Sequence, residues 1–169
     1  MTGNMKFKRT HDIEMDMNDD QTITISSSLH DMLEGEVMHD LELKMVISKD
    51  TAEIISIDGK IHTPDYLNCQ EALEGLRDLE GMNFAKGFKK VVLSLMGGVK
   101  GCFHFNNMLV QVGASAMVSR VFKTKEGIKK YKDWVKRCKK NPDSVADNIE
   151  YRLQQVPELT NTCHVCRYR

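Results

Sequence analysis

Four residues spread through the chain, His39, Cys69, Cys102 and His104, are of the types that hold a soft cation or activate a thiol. Cys102 and His104 lie in Gly97-Gly-Val-Lys-Gly-Cys-Phe-His-Phe-Asn106, just ahead of a helical pattern. Backbone amides and the dipole at a helix N-terminus favour negative charge, so a thiolate at Cys102 becomes a better nucleophile or metal ligand there. The three glycines of the segment allow the turn that brings the two side chains together. Cys69 stands where a strand or loop hands over to a helix expected over Gln70 to Glu80, and His39 has the inward phase of an alternating strand. Two imidazoles and two thiolates suit Zn²⁺ in a tetrahedral site, and an iron or iron-sulfur centre is the other chemistry such donors serve. The separations, 30 positions from His39 to Cys69 and 33 from Cys69 to Cys102, are far longer than the paired spacings of zinc motifs, so the fold must gather the set. With water in one position the ion is a Lewis acid; with four protein ligands it is structural. The plainer alternative is a buried thiol beside an ordinary loop histidine.

Other polar residues read more simply. Asp40 has the opposite phase to His39 and is expected as an exposed sheet acid. Cys163-His-Val-Cys166 could bind metal or form a redox disulfide, or it is an exposed tail over 158–169 that follows a single domain over 1–157. Cys138 belongs to an apolar stripe. His11, His30 and His62 are expected in solvated or capping roles.

These residues must be positioned by strands first and helices later. Lys6 to Met17 and Thr22 to Leu29 read as strands around a Met17-Asn-Asp-Asp20 turn. Val37, His39, Leu41, Leu43, Met45 and Ile47 alternate onto one face of a third strand. Thr51 to Ile57 reads as a fourth, with Ile55 and Ile57 inward and Asp58-Gly59 as a tight turn. Helical periods follow over Ala72–Leu79, Phe84–Leu95, about Asn106–Phe122, 123–140 and about Asp143–Gln155. Strands followed by helices indicate an α+β fold, an antiparallel meander of about four strands with helices packed on one face.

At 169 residues, 41% hydrophobic and 28% charged, the chain can bury a core of its own. No apolar run nears the roughly 18 residues that mark a membrane span, and the first ten residues lack an apolar signal core, so no membrane role and a cytoplasmic location are expected. Five cysteines in a reducing compartment are thiols or ligands rather than bridges. P-loop, dinucleotide-binding, zinc-protease and serine-hydrolase motifs are absent from the sequence. Lys plus Arg and Asp plus Glu balance at 24 each, yet ten acids and no base lie between His11 and Glu42. Lys123 to Lys140 carries nine bases and two acids. That segment is a solvated helix face or a dock for an acidic protein partner, with nucleic acid the less expected one.

His39-Asp-Leu-Glu-Leu, Thr63-Pro-Asp-Tyr-Leu-Asn-Cys69, Leu79-Glu-Gly-Met and Gly97-Gly-Val-Lys-Gly-Cys-Phe-His104, in that order, resemble the bacterial domain-of-unknown-function family 2889. The resemblance covers roughly His39 to Met117, and Phe7-Lys-Arg-Thr-His11 looks like the family's opening basic segment. It implies an intracellular bacterial protein and supplies no reaction. Phe103 and Phe105-Asn-Asn107 depart from the family's usual residues. A more distant likeness is to the iron-sulfur scaffold fold of NifU-like and SufE-like proteins, on the order of the His39 strand, Tyr66-Leu-Asn-Cys69 and the Cys102/His104 segment. It implies ligands converging at one edge of the sheet.

Three functions stand open at this level. One is metal or cluster handling through His39, Cys69, Cys102 and His104; another is a non-catalytic interaction module using the basic helix at 123–140. The third is an enzyme with Cys102 as nucleophile and His104 or His39 as base.

Overall fold

Alternating and β-branched residues build four long strands, β1 (Phe7–Met17), β2 (Thr22–Leu33), β3 (Glu36–Ser48) and β4 (Ile54–Ile61). They pair antiparallel in sequence order as one sheet. The computed structural model describes residues 4–63, 69–84, 87–121, 125–141, 150 and 153–154. Helices follow the sheet: a single turn α1 (Glu71–Glu74), α2 (Phe88–Met96), α3 (Phe103–Val121) and α4 (Lys125–Lys140). The fold is α+β. The chain divides into two compact units, 1–116 and 117–169. No helix among the described residues is long and apolar enough to cross a membrane.

The core of the first unit lies between one sheet face and the segments from Leu76 to Val112. Ile23, Ile25, Leu29, Leu41, Leu43, Met45, Ile47, Ile54 and Ile57 from the strands join Leu76, Leu79, Phe84, Phe88, Val92 and Met96 in one buried cluster. The first turns of α3 add Phe105, Met108, Leu109 and Val112, an i, i+3, i+4, i+7 stripe. The opposite sheet face is polar. There Lys44 sits across from Asp58 and Glu42 across from Lys60, so neighbouring strands carry opposite charges where solvent reaches them.

Two irregularities shift the expected alternation. Between β2 and β3, Asp31 pairs with His39 but Met32 with Val37, leaving Met38 as the extra residue of a bulge. Val37 is therefore 52% exposed rather than inward. Between β3 and β4, Val46 pairs with Ser56 and Ile47 with Ile54. The bypassed Ile55 is 53% exposed, and Ile54 takes the inward place beside Ile57.

Asp58-Gly59 is not a turn: both residues lie within β4, opposite Lys44 and Leu43. Gly59 is required by packing instead. A Cβ there would stand 2.6 Å from Leu76 Cδ1, 2.9 Å from Leu73 Cδ2 and 3.0 Å from Phe105 Cε1. The Gln70–Glu80 segment forms no continuous helix, because Gly75 ends α1 and a separate 3₁₀ turn covers Arg77–Leu79. Phe84 likewise precedes α2, which starts at Phe88 after Gly87 with φ +89°; its ring meets that of Phe88 edge-on at 4.7 Å.

In the second unit, α4 keeps Ile128, Tyr131, Trp134, Val135 and Cys138 half-buried while its lysines are exposed. The side chains of Ala116 and Val121, most of the Asp143–Gln155 segment, and the tail with Cys163 and Cys166 lie outside the described residues.

Replacing Gly59 by Ala inserts a methyl group into filled space, which destabilises by about 1–3 kcal/mol. Urea denaturation of Gly59→Ala is expected to show a lower midpoint with an unchanged slope; an unchanged midpoint would mean the space is open.

Candidate metal centre

The inward phase of β2 runs Ile23, Ile25, Ser27, Leu29 and then Asp31, so the strand carries a carboxylate onto the core face at its end. The Asp31 side chain is 1% exposed. An ionised carboxylate so placed must be paired, and β1 supplies the partner, since Arg9 pairs with Asp31 in the strand register. Arg9 donates from Nε to Oδ1 and from Nη2 to Oδ2, both at 2.6 Å, a bidentate clamp. The guanidinium holds the Asp31 carboxyl below the ordinary carboxylate range.

Two histidines face the same carboxylate from other elements. His39 is the residue opposite Asp31 on β3, and its Nδ1 lies 3.3 Å from Asp31 Oδ2. That nitrogen is buried and makes no aligned hydrogen bond. His104, in the first turn of α3, places Nε2 3.6 Å from the same oxygen. The imidazole rings are 4.0 Å apart between centroids and tilted by 37°. Burial, followed by the neighbouring His39 charge, lowers the His104 pKa, while Asp31 opposes the shift. His104 is thus held toward its neutral, lone-pair-bearing form.

The loop before α3 aims His104. Asn106 is buried and donates from Nδ2 to the Met96 carbonyl at 2.6 Å, tying the start of α3 to the end of α2. A Cβ on Gly101 would stand 2.6 Å from that same Met96 oxygen, so the close return of the chain excludes larger residues. Cys102 follows, its carbonyl accepting from the Asn106 amide at 3.0 Å as helical bonding begins. Its Sγ lies 3.8 Å from His104 Nδ1, the ring nitrogen turned away from Asp31.

Of the four residues singled out by type, the structure therefore unites His39 and His104 and sets Cys102 beside His104 as a neighbour of its outer nitrogen. Cys69 is half-buried in the turn before α1. The cluster that forms is Asp31, His39 and His104, with one donor atom from each within 4.8 Å of the others, and neither cysteine joins a group of three donors among the described residues. Asp31 escaped the sequence reading, which ended β2 at Leu29. The signal was present: two more steps of the same alternation put an acid on the apolar face.

The remaining histidines are engaged elsewhere. His11 Nδ1–H donates to Gln111 Oε1 at 2.8 Å and Nε2 accepts from Ser27 Oγ at 2.7 Å, linking β1, β2 and α3. On the polar face, His30 Nδ1 lies 3.1 Å from Asp40 and His62 Nε2 lies 3.3 Å from Glu42. Asp40 thus keeps the outward phase despite the adjacent bulge.

The lowered Asp31 and His104 pKa values act in one direction, since the unfolded chain then binds more protons than the folded one and stability rises with pH. The His104 contribution is complete above its ordinary value near 6.5 and is lost as pH falls through its lower folded value; that of Asp31 is complete above about 3.9 and is lost at still lower pH. Urea midpoints are expected to fall from about pH 7.5 to about pH 5, and His104→Asn should flatten the upper part of that fall. A flat wild-type profile would contradict the shift. Arg9→Leu strands the buried carboxylate and is expected to cost up to about 3 kcal/mol, less than for a fully buried pair because Arg9 is partly exposed; denaturation at neutral pH checks it.

The chain matches a family model described as "Protein of unknown function (DUF2889)" over residues 3–118. No curated protein and no solved structure shows significant similarity to the chain. The matched span includes the whole sheet, Arg9, Asp31, His39, Cys102 and His104, and ends before α4. Because the match covers more than half of the sequence, the chain belongs to the DUF2889 family.

Proposed function

We propose that this protein binds a single divalent transition-metal ion through Asp31, His39 and His104 and uses it as a Lewis acid. The observation that carries the reading is the pair of separations from Asp31 Oδ2, 3.3 Å to His39 Nδ1 and 3.6 Å to His104 Nε2. Ligands about 2.0–2.1 Å from a tetrahedral ion stand roughly 3.3–3.4 Å apart. His39 Nδ1, buried and without an aligned hydrogen bond, fits the same role, because in the tautomer that leaves it a lone pair a cation would satisfy it.

Two imidazoles and one carboxylate suit Zn²⁺ or Fe²⁺. A thiolate-ligated cluster is less well served, since this group contains no sulfur donor. Three protein ligands leave at least one position for water or substrate, the pattern of a reactive rather than a closed site. With the ion on His104 Nε2, Nδ1 keeps its proton and faces Cys102 Sγ. Arg9 similarly orients the ligating carboxylate.

A second reading rests on the same distances. Cys102, His104 and Asp31 form a thiol–imidazole–carboxylate series at 3.8 and 3.6 Å, in which His104 Nδ1 accepts the thiol proton. The two readings use opposite protonation of Nδ1 and are separable.

Protein purified without an affinity tag is expected to bind Zn²⁺ or Fe²⁺ one-to-one by calorimetry and elemental analysis, and Asp31→Asn or the His39→Ala/His104→Ala pair to lose at least about tenfold in affinity. Cys69→Ser should retain the ion. Loss of metal in Cys69→Ser would restore the His39, Cys69, Cys102, His104 set, whereas no binding at all, combined with His104-dependent alkylation of Cys102, would favour the thiol enzyme.

A further inference from the structure

We infer that Arg9, Phe7 and Phe103 form a binding site for a small carboxylate with an aromatic body, placed so that its carboxylate fills the open position of the metal. The inference rests on the metal reading and extends it to the class of substrate.

Charge balance provides the first argument. A divalent ion at Asp31, His39 and His104 would be met by one carboxylate and two neutral imidazoles, and the Arg9 guanidinium is hydrogen-bonded to that same carboxylate. Asp31 cannot neutralise both cations. A water ligand leaves the excess positive charge in place, while an anionic ligand removes part of it.

Geometry provides the second. A guanidinium offers five N–H donors, and Asp31 takes two of those of Arg9. The other three have no partner among the described residues, although the side chain is 35% exposed. They suit a second carboxylate arriving from solvent.

The flanking side chains supply the third argument. Arg9 Cζ lies 5.9 Å above the ring of Phe7, which is 58% exposed. Phe103, next to His104 in the chain, is 69% exposed and meets the His104 ring edge-on at 5.8 Å. Both rings are open to water and touch the groups that would hold the ion or the anion. Exposed rings beside such a site give a flat apolar body surfaces to cover and favour an aromatic ligand over a short aliphatic one.

The test uses the full chain and three probes, benzoate, acetate and inorganic phosphate, each titrated into Zn²⁺-loaded and metal-free protein, with Zn²⁺ affinity measured separately for every variant. Benzoate is expected to bind the loaded protein at least about tenfold more tightly than acetate, and Phe103→Ala, an exposed change that leaves the core intact, to remove about five- to tenfold of that preference while sparing acetate. Arg9→Lys should weaken both carboxylates about tenfold when measured at saturating Zn²⁺, beyond any loss of Zn²⁺ affinity that follows from its clamp on Asp31. Equal binding of benzoate and acetate, indifference to Phe103→Ala, or phosphate binding tighter than benzoate would each overturn the inference while leaving the metal centre standing. If Zn²⁺ itself fails to bind, the metal reading and the placement of the carboxylate on the ion are both overturned, whether or not benzoate binds the metal-free protein.

Discussion

A buried carboxylate organises one end of this sheet. Asp31 reaches the core face because β2 continues its alternation to the end of the strand, and a charge at 1% exposure is tolerated only with compensation. Arg9 provides it from the neighbouring strand, and the bidentate geometry leaves Oδ2 facing His39 and His104. Four elements of the first unit are thereby committed to one point: β1 brings the guanidinium, β2 the acid, β3 one imidazole and α3 the other. Few arrangements satisfy so many directional constraints together, which is why the pair also specifies where the histidines stand.

The apolar core is the platform on which this polar cluster is held. Phe105, Met108, Leu109 and Val112 seat α3 against the sheet, while Asn106 and the close return at Gly101 determine where the helix begins. His104 is therefore aimed from a rigid helical turn, and His39 from a strand whose register is fixed on both sides. The bulge at Met38 shifts the pairing by one residue just beyond His39 and turns Val37 outward. Bulges commonly re-aim side chains beside functional sites, and here one lies between the cluster and the turn that joins β2 to β3.

The two proposed chemistries, metal and thiol, converge on a single ring. His104 presents Nε2 to Asp31 and Nδ1 to Cys102, so whatever occupies one nitrogen sets the proton at the other. A metal on Nε2 makes Cys102 a supporting neighbour, whereas a vacant Nε2 leaves the thiol and imidazole free to exchange a proton.

Much of the architecture was legible in the chain. Period-two alternation fixed the inward faces of β2 and β3, because a strand with one buried face admits only one phase, and the change to a 3.6-residue period marked the helices that cover it. His39, Cys102 and His104 could be named from residue type and local setting. Other features depended on contacts between distant segments. The extra residues at Met38 and Ile55 arise from pairing with a neighbouring strand, and Gly59 is demanded by Leu73, Leu76 and Phe105, which come from segments distant in the sequence. Asp31 shows the division most clearly: its inward phase is a local property, but its partnership with Arg9, His39 and His104, 22, 8 and 73 positions away, exists only after the strands pair and α3 docks. Local sequence determines backbone periodicity through short-range sterics and solvent exclusion, while a ligand cluster needs side chains brought together in space, which tertiary packing alone decides.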